Sequence, residues 1–366
     1  MAPLIELCGI TVELPTPAGW IRPVNDVSLA LAPGEALGLV GESGSGKSML
    51  ALAVMGLLPP GARVRGEVWL AGANGSASSR VNLLGLSERE RRGVRGREIA
   101  MIFQEPMTAL NPVMRVGAQI AEAIRAHHRG LSGRDVDRRV AAALERAAVP
   151  EPALRARQYP HQLSGGLRQR AMIAMALAGG ASDGSVEAPA TQPEERLPGA
   201  ALTALPKNDH AGPRLLIADE PTTALDVTVQ QQILELLARL RRELGLALLF
   251  ITHDLGVVAQ VADRLAVAYA GHVVEEGLVR DVLAYPRHPY TAGLLRASPQ
   301  LVRQKLEPIP GAVPSLAAMP PGCAFEPRCE LRRPECASAL PQLRPAGPGH
   351  RARCILVESP VEESVR

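Results

Sequence analysis

The stretch 41–48, Gly-Glu-Ser-Gly-Ser-Gly-Lys-Ser, constrains the fold of this chain more than any other feature. It fits the Gly-x4-Gly-Lys-Ser pattern, whose glycines let successive backbone N–H groups curl around a phosphate. An apolar strand over 36–40 runs straight into it, and the residues after it predict a buried helix over 49–58. Pro59, Pro60 and Gly61 should stop that helix, because proline lacks the donor and glycine carries the backbone away. Strand, glycine turn and helix together form the context that a chance glycine-rich turn lacks. The expected nucleotide-binding residues are therefore Gly41, Glu42, Ser43, Gly44, Ser45, Gly46, Lys47 and Ser48. Lys47 supplies a point charge, the Ser48 hydroxyl reaches Mg²⁺, and the helix turns its positive end to the phosphates.

Further apolar runs at 99–103, 215–218 and 246–252 predict strands buried on both faces, as in a parallel sheet. Between the last two, a helix is expected over 227–244, where Ile233, Leu236, Leu237, Leu240 and Leu244 follow a helical period, with Gly245 as the C-terminal cap. Strands and helices alternate, so the fold class is α/β. The stretch 265–277 reads as a hairpin turning at Ala270-Gly271 and closing the first domain. Two regions lack periodicity. The first, 179–213, predicts a disordered surface insertion, and the second, 286–366, an irregular proline-rich extension.

A phosphate loop needs an acidic partner at the end of another buried strand, and Leu-Leu-Ile-Ala-Asp-Glu at 215–220 supplies one. Asp219 is the expected Mg²⁺ partner, and Glu220 is positioned to act as general base on the attacking water. Alone, an apolar strand ending in two acids is an ordinary solvated terminus. It gains meaning beside the phosphate loop. A second anion-binding helix start follows from Leu-Ser-Gly-Gly-Leu-Arg-Gln-Arg at 163–170, where Ser164, Gly165 and Gly166 open an apolar helix.

That Leu-Ser-Gly-Gly element ahead of a strand ending in Asp-Glu resembles the signature of the ATP-binding-cassette (ABC) ATPases. The resemblance implies two cassettes packed head to tail, with Ser164, Gly165 and Gly166 acting on ATP held by a partner. The other family elements stand in order: Gln104 after the strand at 99–103, Ala224-Leu225-Asp226 after Glu220, and His253 after the strand at 246–252. Gln104 would reach Mg²⁺ and the attacking water, Asp226 would organise the dimer seam, and His253 would donate to the γ-phosphate. Singly, each such residue reads as ordinary surface or core. The fold implied is an ABC-type P-loop nucleotide-binding domain over 1–285, with a RecA-like parallel core, an antiparallel β subdomain and a helical signature subdomain over about 105–178.

Longer words sharpen the resemblance. Arg-Glu-Ile-Ala-Met-Ile-Phe-Gln-Glu-Pro-Met at 97–107, Leu110-Asn111-Pro112, His288-Pro289-Tyr290-Thr291, Ile309-Pro310-Gly311 and Pro-Gly-Cys-Ala-Phe-Glu-Pro-Arg-Cys at 321–329 are similar to the dipeptide/oligopeptide/nickel importer subfamily. This implies a C-terminal extension of the oligopeptide-transporter type over 286–366. It also implies ATP hydrolysis that energises import of peptides, nickel or related solutes. The partners implied are two membrane permeases, a second and non-identical ABC ATPase, and an extracytoplasmic binding protein, with the chain peripheral on the cytoplasmic face of the inner membrane. The alternative is a soluble ABC ATPase of DNA repair or translation. Such proteins add a coiled coil, a zinc module or a second cassette, and none is visible here.

Cys323, Cys329, Cys336 and Cys354 crowd into the extension, while Cys8 stands apart. Four thiols bind zinc, hold an iron–sulfur cluster, form disulfides or stay reduced. A cytoplasmic setting argues against disulfides, and the absence of a Cys-x2–4-Cys pair argues against zinc. The subfamily resemblance implies a [4Fe–4S] cluster on these residues. Two departures stand out. The stretch 179–213 separates the signature from the Asp-Glu strand, and Leu14 occupies the place where the family sets an adenine-stacking ring, with Trp20 the nearest aromatic.

The net charge of +3 over 366 residues, without long basic runs, leaves no nucleic-acid footprint. The first residues lack a basic start followed by an apolar stretch, so no secretory signal is expected. No apolar run approaches the roughly 20 residues that cross a bilayer.

Overall fold

The computed structural model describes residues 2–17, 19–72, 80–128, 130–180, 212–223, 225–299, 301 and 307–357. The stretch expected as an insertion lies largely outside the described residues, and so does Ala224. In chain order, β1 (Ile5–Thr16), β2 (Gly19–Leu31) and β3 (Ala36–Val40) precede α1 (Lys47–Met55) and β4 (Arg63–Leu70). There follow β5 (Val81–Asn82), α2 (Glu88–Val94), β6 (Ile99–Ile102), α3 (Pro106–Ala109), α4 (Val116–His127), α5 (Gly133–Arg146), α6 (Pro152–Arg157) and α7 (Gly165–Ala178). The second half holds β7 (Leu215–Asp219), α8 (Val227–Leu244), β8 (Ala247–Thr252), α9 (Leu255–Val261), β9 (Arg264–Tyr269) and β10 (His272–Leu278). It ends in α10 (Val279–Ala284), α11 (Pro289–Arg296), α12 (Pro334–Ser338), β11 (Arg344–Gly347) and β12 (His350–Ala352).

These elements form two compact units. The first comprises Met1–Ile5, Ala32–Gly34 and Trp69–Leu248, and the second Glu6–Leu31, Glu35–Val68 and Leu249–Arg366. In the first, β6 and β7 run parallel, Ile99 beside Leu215 and Ile102 beside Ala218. Every residue of both strands is buried, which is why they read as unbroken apolar runs. Their register is tied at the start, where Arg214 Nε donates to Glu98 Oε2 at 2.8 Å and its other nitrogens donate to the carbonyls of Ala71 and Gly72. Helices α4, α5, α6 and α7 pack on one another. The buried stripe of α5, Val136, Val140 and Leu144, repeats every four residues. Helix α8 matches its expected bounds, with Gly245 in the left-handed region at φ 61°.

In the second unit the strands follow the order β11-β12-β10-β9-β3-β8, and β2, β1 and β4 are neighbours in another sheet. Strand β3 pairs parallel with β9, and β9 antiparallel with β10. The turn between the last two has both central residues at positive φ, Ala270 at 46° and Gly271 at 85°, the twist a two-residue hairpin favours.

The structure departs from the sequence reading in two places. Helix α1 begins at Lys47 and stops at Gly56, not at the prolines. Gly56 turns left-handed at φ 62°, and Leu57 N–H reaches the Leu52 carbonyl, which caps the helix three residues before Pro59. The region after 286 is also more regular than expected. Strand β12 pairs with β10, Glu275 beside Ala352, so the sheet continues past the hairpin. A small aromatic core holds this region, with the Tyr290 ring 4.5 Å from Tyr269 and 5.4 Å from Phe325.

Candidate functional site

The phosphate loop lies between β3 and α1. Strand β3 is buried at every position, so its end delivers Gly41 from the core. Lys47 is also buried, and its Nζ donates to the Gly41 carbonyl at 2.8 Å, the Glu42 carbonyl at 3.0 Å and Ser45 Oγ at 3.2 Å. The ammonium is thus fixed at the mouth of the loop by the loop's own oxygens. Gly46 carries φ 96° and is the N-cap of α1; a Cβ there would collide with the Pro23 carbonyl. Ser43 and Gly44 are exposed, which leaves the tip of the loop open to an anion.

Glu42 is held from a direction that the motif does not announce. Its backbone N–H donates to Tyr290 Oη at 2.9 Å, and its carboxylate receives both terminal nitrogens of Arg328 at 2.6 and 3.1 Å. The glutamate beside Arg328 holds the guanidinium pKa above its ordinary value. Sequence reasoning missed Tyr290 and Arg328 as supports of the loop. The words His-Pro-Tyr-Thr and Glu-Pro-Arg-Cys marked the stretches without showing what they touch.

In the first unit, β7 ends in Asp219, which is buried, and Glu220, which is half-buried. Glu220 has φ 46°, an uncommon conformation for a residue with a side chain and a form of local strain found at functional positions. Its Oε2 accepts from Gln104 Nε2 at 3.2 Å and from Thr223 Oγ1 at 2.8 Å. The two sequence candidates Gln104 and Glu220 are therefore brought together, and Thr223 is an addition with no sequence signal of its own.

Ser164 is the N-cap of α7, with Oγ accepting from Leu167 N–H at 3.4 Å, and both Ser164 and Gly165 are exposed. Gly166 faces α8, where a Cβ would stand 2.7 Å from Val229 Cγ1. Asp226 caps α8 through Oδ1, which accepts from Val229 N–H at 2.9 Å. In the second unit His253 is exposed at the end of β8, on a turn fixed by Asp254, whose Oδ1 accepts from Gly256 and Val257 N–H. Trp20 is exposed, with the Arg63 guanidinium 3.9 Å over its ring. The Mg²⁺ candidates Ser48, Gln104 and Asp219 all offer oxygen, the donor that ion prefers.

Cys323, Cys329, Cys336 and Cys354 line one small cavity with His288 and Phe325. Burial pushes the Cys329 thiol up to about 11 and raises Cys323 and Cys354 as well, so the protonated form is favoured. Among the described residues no group of three or more His, Cys, Asp or Glu is placed to hold a metal ion. The four expected iron–sulfur ligands are therefore neighbours around one cavity, without a ligand set for a single ion among the described residues. Among the same residues no helix is long and apolar enough to cross a membrane.

Residues 24–182 match the ABC transporter family, and residues 274–336 match the oligopeptide/dipeptide transporter C-terminal region. A Brucella ovis protein provisionally named a peptide import ATP-binding protein is 45% identical over 363 residues, 96% of this chain and 97% of its own. A Brucella abortus protein of the same description is 43% identical over 367 residues, 100% of this chain and 98% of its own. Among solved structures, a dimeric ATP-binding cassette in a post-hydrolysis state with ADP and Pi aligns with TM-score 0.58 and 26% identity, covering 75% of this chain and 99% of that one. A Clostridium perfringens component of an ABC transporter complex shares the fold, with TM-score 0.55 and 22% identity over 78% of this chain and 92% of that one. With a phosphate loop, a Gln–Glu pair and a signature helix in the order the family uses, this chain belongs to the ATP-hydrolysing ATP-binding subunits of ABC transporters, in the oligopeptide/dipeptide branch.

Proposed function

We propose that this chain is the ATP-hydrolysing subunit that energises import of di- or oligopeptides through membrane permease partners. The observation that carries the reading is likeness along nearly the whole chain, C-terminal region included, to proteins named for peptide import. These relatives do not favour the alternative of a soluble ABC ATPase in DNA repair or translation.

In this reading the loop from Gly41 to Ser48 holds the ATP phosphates, with Lys47 as counter-charge. Ser48, Asp219 and Gln104 would hold Mg²⁺, which when bound neutralises developing charge on the phosphates. Glu220 takes the proton of the attacking water as oxygen bonds to the γ-phosphorus and the bond to the ADP oxygen breaks. Gln104 orients Glu220, and His253 donates to the γ-phosphate. Ser164, Gly165 and Gly166 act on the nucleotide of a second cassette, with Asp226 at the seam. The partners are two permeases, a second and non-identical ATPase and an extracytoplasmic binding protein, and the chain sits peripherally on the cytoplasmic face of the membrane. Cys323, Cys329, Cys336 and Cys354, which line one cavity, would hold the [4Fe–4S] cluster that the subfamily resemblance implies. Anaerobically purified protein lacking both iron and a visible charge-transfer band would remove that cluster.

Affinity purification of the tagged chain from its own membranes tests the proposal. Co-purified permeases and ATP hydrolysis stimulated by peptide-loaded binding protein are expected. Hydrolysis indifferent to peptide and binding protein would remove the transport reading.

A further inference from the structure

The strongest unexplained arrangement is the grip on Glu42. Three of its groups are engaged: the carbonyl by Lys47 Nζ at 3.0 Å, the N–H by Tyr290 Oη at 2.9 Å, and the carboxylate by Arg328. We propose that Arg328 and Tyr290, from the stretch following β10 and α10, are positioning residues for the phosphate loop, acting through Glu42 on Lys47 and on ATP affinity. The inference rests on the ATP-hydrolysing reading and names residues that the nucleotide-binding motif does not contain.

A carboxylate in an anion-binding loop opposes its ligand unless its charge is cancelled. Arg328 cancels it with a two-pronged contact, and only 4% of its side chain is exposed against 30% for Glu42. The guanidinium is itself anchored. Nε donates to the Pro310 carbonyl at 2.9 Å, one terminal nitrogen donates to Tyr269 Oη at 3.3 Å, and the residue closes the short 3-10 turn Glu326–Arg328 between Cys323 and Cys329. Tyr290 is anchored by packing, fully buried against Tyr269 and Phe325. Its hydroxyl accepts the Glu42 N–H and so fixes the peptide plane preceding Glu42. The Glu42 carbonyl that Lys47 uses belongs to the same residue. A shift of Glu42 therefore moves the lysine's acceptor and the charge beside the ligand together.

The test uses the full-length chain, with a fluorescent ATP analogue and Mg²⁺ for affinity and steady-state hydrolysis for KM and kcat. Arg328→Gln should raise KM for ATP about tenfold or more, as expected for loss of a charge-assisted contact, with kcat within about threefold. Arg328→Lys should fall between, because an ammonium restores the charge but not the fork. The double variant Glu42→Gln/Arg328→Gln should bind no worse than Arg328→Gln, since both remove one pair. Tyr290→Phe, which removes one hydroxyl from a buried ring, should raise KM several-fold with the fold retained, and it decides alone if Arg328→Gln does not fold. Wild-type KM in the foldable variants, or fully additive effects of the two charge changes, would overturn the proposal. Failure of the wild type itself to bind the analogue would strike the ATPase reading instead.

Discussion

Glu220 combines a left-handed backbone with a carboxylate that two donors share, and its charge is the one the hydrolysis reading cannot spare. Glu220→Gln keeps the shape and removes the base, so turnover should drop by about a hundredfold or more while ATP stays bound. Single-turnover hydrolysis with trapped nucleotide is the measurement, and undiminished turnover would overturn the assignment. At the loop, Gly46→Ala should abolish nucleotide binding, since the new methyl meets the Pro23 carbonyl and φ 96° is strained for any side chain. Fluorescent nucleotide titration checks this. Part of this scale was legible in the sequence: Lys47, Asp219, Glu220 and Ser164 were singled out by motif and Gln104 by family resemblance, and the structure joins Gln104 to Glu220 and sets Ser164 as the cap of α7. Thr223 and Arg328 were not. Their roles arise from contacts, Thr223 with its neighbour in a tight turn and Arg328 across 286 residues of chain.

At the scale of elements, α7 and α8 meet where a glycine is required. Gly166→Ala would drive a methyl into Val229, and the helices must part or the side chain must turn. About 1 to 3 kcal/mol of stability should be lost, as for an overpacked contact, readable by urea unfolding. Asp226→Ala should cost about 1 kcal/mol by freeing the Val229 N–H. Helix α8 was readable to the residue because its buried stripe is long and ends in a glycine that turns left-handed. The end of α1 was misjudged, since Gly56 stops the helix before the prolines that seemed the obvious barrier. The final strands escaped notice because they span four and three residues, too short for alternation to show, and one contains proline. Their partner, β10, lies far back in the sequence, so no local pattern reveals the pairing.

Across the molecule, two buried histidines tie stability to pH. Burial, then the charge of Arg353, brings His272 down to about 4 and His288 to about 3. Both are neutral in the folded chain at pH 5, while the unfolded chain, titrating near 6.5, binds protons there. The unfolded state holds more protons in that window, so stability is complete above about pH 7 and declines as pH falls. The loss at pH 5 is roughly 2 kcal/mol per histidine. His288 Nδ1 accepts from Tyr290 N–H at 3.1 Å, a bond that a proton on that nitrogen would abolish. Urea unfolding at pH 7 and pH 5 should show the difference, and His272→Gln should remove about half of it; equal stabilities at both pH values would contradict the account.

The pairing of β12 with β10 sets a schedule for synthesis. Glu275 on β10 is wholly buried, and His350 Nε2 lies 2.7 Å from its Oε1. A ribosome that has released the phosphate loop, the signature helix and the Asp-Glu strand has therefore not yet supplied the partner for that carboxylate. A chain cut short before His350 would carry the whole catalytic inventory around a bare sheet edge and an acid lacking one of its contacts.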